Sequence, residues 1–160
     1  MASDTSNRPQ PALRRHFTYR LNVLSKLNDL MSQELYQSGC GLSLPESRCL
    51  AAIGSSPGHL TVNEVAFETN LDKAQVSRTV KTLVGRGLVS KRPCPVDGRA
   101  VLLTVTADGQ QRWERVMPLI DQRNQDLLRC LNEQEKTLLL DMFERLLNQA
   151  RNQFETARLG

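Results

Sequence analysis

The sequence is poor in the groups that build metal centres and active sites. It has four cysteines, Cys40, Cys49, Cys94 and Cys130, none in a C-x-x-C pair, and two histidines, His16 and His59. Such scattered ligands do not suit a zinc site, so no metal is expected. A Gly-rich phosphate loop is missing too: Gly85-Arg86-Gly87 has no third glycine and follows a helical pattern, which makes it a helix exit. There is no G-x-S-x-G elbow, and two histidines far apart in sequence suggest no acid–base constellation. Neither an enzyme nor a cofactor is expected. No apolar run approaches the roughly 20 residues of a membrane helix, and no charged-then-apolar leader opens the chain. The expected setting is the cytoplasm, with reduced thiols and no membrane partner.

What is present is ordinary globular material: 39% hydrophobic and 24% charged residues, with seven Pro and nine Gly among 160. That length allows one domain, or a small module with long helical extensions. The net charge of +4 is unevenly placed. Residues 60–99 hold seven basic and four acidic groups, whereas 100–160 hold eight and nine, so a local positive patch points to a polyanion partner.

Residues 1–12, with Ser3, Ser6, Pro9 and Pro11 among polar neighbours, read as a loose arm. From Leu13 to about Gln37 apolar residues recur every three or four positions, which predicts a long amphipathic helix ended by Gly39 and Gly41. Pro45 suits the first turn of a second helix behind Ser43 or Leu44, broken by Gly54, Pro57 and Gly58. Thr61-Val62-Asn63-Glu64 has the capping-box pattern that opens a helix, and Asp72-Lys73-Ala74-Gln75 repeats it eleven residues later. The first of these helices is therefore short, turns at Asn70 and Leu71, and hands over to a second that runs to Arg86, with Gly87 as its cap. Two short helices joined by a tight turn form a helix-turn-helix candidate.

Two strand-like runs, Leu88–Lys91 and Ala100–Val105, flank a turn-rich tip containing Pro93, Pro95 and Asp97-Gly98. Helix-turn-helix plus hairpin is a winged helix. A fifth helix begins at Thr106-Ala107-Asp108-Gly109, with a bend expected at Pro118, and Asn132 caps a sixth. On the sixth, Leu138, Leu139, Met142, Phe143, Leu146, Leu147, Ala150 and Phe154 make an apolar stripe wide enough to seek a second copy of the chain. The fold class expected is mainly α. A winged helix-turn-helix with a two-stranded wing over 41–106 lies between long N- and C-terminal dimerisation helices at 13–40 and 107–160.

The recognition-helix run Leu71–Val80, the Arg86-Gly87-Leu88 exit, the Asp97-x-Arg99 wing and Leu103-Thr104-Val105-Thr106-Ala107-Asp108-Gly109 together resemble the MarR family of bacterial transcription regulators. The likeness spans about Phe17 to Leu147. It implies a homodimeric winged-helix regulator of a pseudo-palindromic operator on double-stranded DNA, most often a repressor.

Chemistry and resemblance together nominate the site residues. Lys73, Gln75, Ser77, Arg78 and Lys81 are polar positions on an otherwise apolar helix, in which Arg78 suits guanine and Gln75 adenine. The resemblance puts these two on the groove-facing side. Arg99, oriented by Asp97, suits the minor groove of A·T-rich DNA; alternatively the two form a local ion pair. Lys91, Arg92 and Thr61 suit phosphates. The family also implies an effector, often an aromatic carboxylate, between the terminal helices and the winged helix. Arg20 or Arg48 can clamp its carboxylate, with His16 and Tyr19 as further polar partners; alternatively Arg20 pairs with Asp29 or Glu46. Cys94, near Arg92 and Arg99, is the candidate for a redox-sensing alternative, while Cys49 and Cys130 read as buried and Cys40 as a loop residue. A winged helix used as a protein-interaction module is the remaining alternative.

Overall fold

The computed structural model describes residues 12–95 and 100–159. After a 3-10 turn (Ala12–Arg15) come α1 (Phe17–Cys40), α2 (Leu44–Ser55), β1 (Leu60–Thr61), α3 (Val62–Thr69), α4 (Lys73–Gly85), β2 (Val89–Pro93), β3 (Val101–Val105), α5 (Ala107–Leu128) and α6 (Glu133–Leu159). The chain divides into two compact units, Met1–Asp121 and Gln122–Gly160.

Reciprocal caps fix where the helices begin. In each of the pairs Ser43/Glu46, Thr61/Glu64 and Asp72/Gln75, the first side chain accepts the third helical amide while the second accepts the amide of the capping residue. Asn132 and Glu135 do the same for α6. Each box satisfies two amides that a helix start would otherwise leave orphaned, and a cap of this kind is worth about 1 kcal/mol. Asn70, in the left-handed region at φ 53°, makes the corner between α3 and α4.

Two glycines do not break helices as expected. Gly39 lies inside α1, which ends at Gly41, and Gly54 lies inside α2. Their small size serves packing instead. A Cβ on Gly54 would run into the Trp113 indole, and one on Gly39 would meet the Leu119 side chain, so α5 approaches both helices closely. α5 continues through Pro118.

The wing is a three-stranded antiparallel sheet in the order β1-β3-β2 rather than the expected pair. The added strand is two residues long, with Leu60 opposite Leu103 and Thr61 opposite Leu102. A run that short carries no alternating pattern, so it has no signature in the sequence. Under the sheet lies one core, in which Leu42, Leu50, Ile53, Val65, Val76, Leu83, Leu103 and Val116 are fully or almost fully buried. Burying a side chain of this size contributes about 1.5–3 kcal/mol.

Two polar junctions set the position of α4 on this core. At its end, Arg86 donates to Glu46 Oε1 (2.7 Å) at the start of α2 and to the Gly41 carbonyl (3.0 Å). Gly87 then turns in the left-handed region at φ 71°. Thr106 Oγ1 donates to the Gly87 carbonyl (2.6 Å) and accepts from the Gly109 amide (3.0 Å), while the Thr106 amide donates to the Leu88 carbonyl (3.1 Å). A Cβ on Gly109 would collide with the Leu88 carbonyl, so any larger residue there pushes α5 off the exit of α4.

Burial pushes the Glu46 carboxyl up, but the Ser43 amide, the Arg86 guanidinium and the Ser43 hydroxyl together outweigh it and hold its pKa below the ordinary 4.5. A carboxylate with a depressed native pKa stabilises the fold above its unfolded value and loses that contribution as pH falls through the native one. Glu46→Gln is expected to lower stability at pH 7 by about 1–2 kcal/mol, given that Arg86 is partly solvated. The gap to the parent protein should narrow as pH drops below 4.5, as urea melts at pH 7 and in that acid range would measure.

Candidate nucleic-acid interface

α4 is two-faced. Val76, Thr79, Val80 and Leu83 are buried, whereas Lys73, Gln75, Ser77, Arg78 and Lys81 are all exposed. The 3.6-residue period produces this division, because the buried positions recur every three or four residues and the cations fall between them. Gln75 carries a second duty: its Oε1 accepts the Asp72 amide (3.1 Å) in the cap of α4, leaving its Nε2 hydrogens to face outward. A base contact from Gln75 has to be compatible with that cap.

The sheet register sorts the proposed phosphate contacts. Residues directly opposite in an antiparallel ladder share a face. Arg92 pairs with Leu102, which also faces Thr61, so these three share the side opposite the buried Leu103. Lys91, although exposed, pairs with Leu103 and belongs to the other side. Thr61 Oγ1 donates to Glu64 Oε2 (2.8 Å). The Glu64 pKa is held below its ordinary value by the Thr61 amide first and the hydroxyl second, so Thr61 sits beside a carboxylate. Asp97 and Arg99 lie outside the described residues.

The register also brings in a residue absent from the sequence-based set. His59 precedes β1 and uses both ring nitrogens: Nδ1 meets Thr104 Oγ1 at 3.1 Å, and Nε2 meets the Arg92 guanidinium. Its position beside Arg92 depends on β1 pairing with β3. Without a visible β1, the sequence offered no way to bring residues 59, 92 and 104 together.

A cavity of about 700 Å³ lies between α1, α2, α5 and the end of α3, with Asn28, Tyr36, Arg48, Ser55, Glu68 and Asn70 among its polar lining. Of the four residues nominated for an effector, Arg48 lines it, and its guanidinium forks onto both oxygens of Asp29 on α1. His16, Tyr19 and Arg20, at the start of α1, are not among its walls. The expected alternative partners of Arg20 are engaged elsewhere, Asp29 by Arg48 and Glu46 by Arg86. Arg20 itself donates to the Arg14 carbonyl (3.1 Å).

The cysteines are arranged differently from expectation. Cys40 is buried in the last turn of α1 with its thiol on the Tyr36 carbonyl, because the helix runs on through Gly39. Cys130 is exposed, because α5 stops at Leu128 and leaves it in the following turn. Cys49 is buried as expected, and that burial pushes its thiol up to about 12, which keeps it protonated and unreactive. Cys94 is half-buried, its amide on the Ala100 carbonyl at the base of the wing tip.

Among the described residues, no helix is long and apolar enough to cross a membrane. Residues 41–100 match the family model described as MarR family. Among curated proteins, the transcriptional regulator YdgJ of Bacillus subtilis is 29% identical over 58% of this chain, a match spanning only 57% of that protein. The transcriptional repressor YetL of the same organism is 27% identical, covering 81% of this chain and 80% of its own. The crystal structure of the PcaV transcriptional regulator from Streptomyces coelicolor with its natural ligand superposes with a TM-score of 0.69 at 26% identity, covering 89% of this chain and 99% of that one. With its capped helix-turn-helix, hairpin wing and flanking long helices, the chain is similar in sequence and fold to winged-helix transcription regulators of the MarR family.

Proposed function

We propose that the chain works as a homodimer that represses transcription from a pseudo-palindromic operator and is released by a small aromatic acid. The observation that carries this reading is the exposed face of α4: Lys73, Gln75, Ser77, Arg78 and Lys81 project from a helix whose other face is locked into the core. In the reading, α4 enters the major groove, Arg78 makes a bidentate contact to guanine and Gln75 turns its amide to adenine. Lys73, Ser77 and Lys81 line the groove walls. Arg92, Lys91 and Thr61 approach phosphates, and Arg99, oriented by Asp97, enters the minor groove. Residues 41–106 are the DNA-binding part.

Support for a dimer comes from apolar surface on both compact units. α1 exposes Leu21, Leu24, Leu27 and Met31, and α6 exposes Leu138, Met142, Leu146 and Leu147, more than isolated surface residues account for. In the proposal, 13–40 and 107–160 cover these stripes in a second copy. A two-fold dimer has to hold its recognition helices about 34–36 Å apart to reach successive major grooves. Repression is supported by the likeness to YetL, a transcriptional repressor, and effector control by the ligand-bound PcaV. The 700 Å³ cavity beneath α1 offers Arg48 as the cation for a carboxylate, which would compete with Asp29 for it. His16, Tyr19 and Arg20 belong to the effector site only if the dimer brings them to it.

Arg78→Ala is expected to weaken operator binding by about 1–3 kcal/mol and relax preference at one base position. Arg92→Ala should instead weaken binding to all duplexes alike and reduce the salt slope by about one unit. Isotherms at several salt concentrations separate the two; an Arg78→Ala protein with full operator affinity overturns the recognition-helix assignment. Sedimentation should find a dimer at micromolar concentration, and Leu146→Glu should shift it towards monomer and lower operator affinity together. Parent protein that sediments as a monomer refutes the dimer reading.

A further inference from the structure

His59 is not among the residues that the sequence nominates for a site. It stands just before β1, on the outer edge of the sheet, with a hydrogen-bond partner at each ring nitrogen. A guanidinium has only N–H groups to offer, so the Nε2 that meets Arg92 carries no proton. The ring's single proton therefore rests on Nδ1 and is donated to Thr104 Oγ1 (3.1 Å). Thr104 is in the central strand, paired with Ser90, whose hydroxyl donates to the Thr104 carbonyl (3.4 Å). The relay thus runs from the middle of the sheet through Thr104 and the imidazole to a side chain on the edge strand β2.

Arginine carries a large rotamer entropy, and an exposed arginine loses most of it when it grips a phosphate. A guanidinium already held at one end has less to lose, and its other N–H groups stay available. We propose that His59 is a positioning residue for DNA binding: the neutral imidazole, oriented by Thr104, holds the Arg92 guanidinium on the outer face of the wing, where it meets a backbone phosphate. This inference rests on Arg92 being a phosphate contact. His59 adds no charge of its own, so it raises affinity without changing the number of counterions released.

The test uses the full chain and a random-sequence 30-base-pair duplex titrated at several salt concentrations, with Arg92→Ala, His59→Ala, His59→Gln and the double alanine variant compared. His59→Ala should weaken binding about three- to tenfold, the worth of one hydrogen bond, with the salt slope unchanged. Arg92→Ala should lower affinity and also reduce the slope by about one. His59→Gln, whose side-chain carbonyl can still accept from Arg92, should recover most of the loss, and the double variant should bind no worse than Arg92→Ala. Parent-like affinity in His59→Ala overturns the proposal, as does a loss that adds fully to that of Arg92→Ala or that His59→Gln fails to restore. Thr104→Val gives a second route should His59→Ala fold poorly: it frees the ring and should weaken binding in the Arg92 background only. An Arg92→Ala protein that binds as the parent does refutes the phosphate assignment itself, and the positioning role with it.

Discussion

Glu46 is a nearly buried carboxylate, and the way α1, α2 and α4 meet depends on its being satisfied. Removing a charge from water costs several kcal/mol unless partners replace the solvent. Here the amide and hydroxyl of Ser43 and the guanidinium of Arg86 do so. Because Ser43 and Glu46 open α2 while Arg86 closes α4, the requirement that one carboxylate find its partners fixes two helices that are forty residues apart in sequence. Arg86 also caps the Gly41 carbonyl, so the end of α1 joins the same junction. The exposed face of α4, which carries Lys73, Gln75, Ser77 and Arg78, is therefore oriented from its far end.

The helices were legible in the sequence wherever the signal was chemical and local. Thr61/Glu64, Asp72/Gln75 and Asn132 each announce a start through a side chain that can reach an amide three residues on, and the structure contains all three caps. Glycine was a poorer guide. Gly39 and Gly54 read as stops because glycine weakens helices, yet each is kept for a close approach of α5 that no local pattern reveals. The error at Gly39 carried over to Cys40, which is a buried helical residue. Similarly, Cys130 read as buried, yet α5 ends at Leu128 and puts it in solvent.

The candidate site divides along the same line. The polar face of α4 follows from helical periodicity alone, so its residues could be named without coordinates. The face that gathers His59, Thr61 and Arg92 could not, because it exists only once β1 is registered against β3. The cavity needed contacts as well: Arg48 lines it and is already forked onto Asp29, a pairing across nineteen residues that spacing does not disclose.

The seam where α4 leaves off and α5 begins has no slack. Thr106 clasps the carbonyl of Gly87 with its hydroxyl and that of Leu88 with its amide, and Gly109 lies so near the Leu88 carbonyl that a single extra carbon does not fit. A shim of one methyl would jam this joint. The first turn of α5 and the tail of α4 consequently travel as one piece, like a crank keyed to its shaft, and twisting either transmits to the other without lost motion.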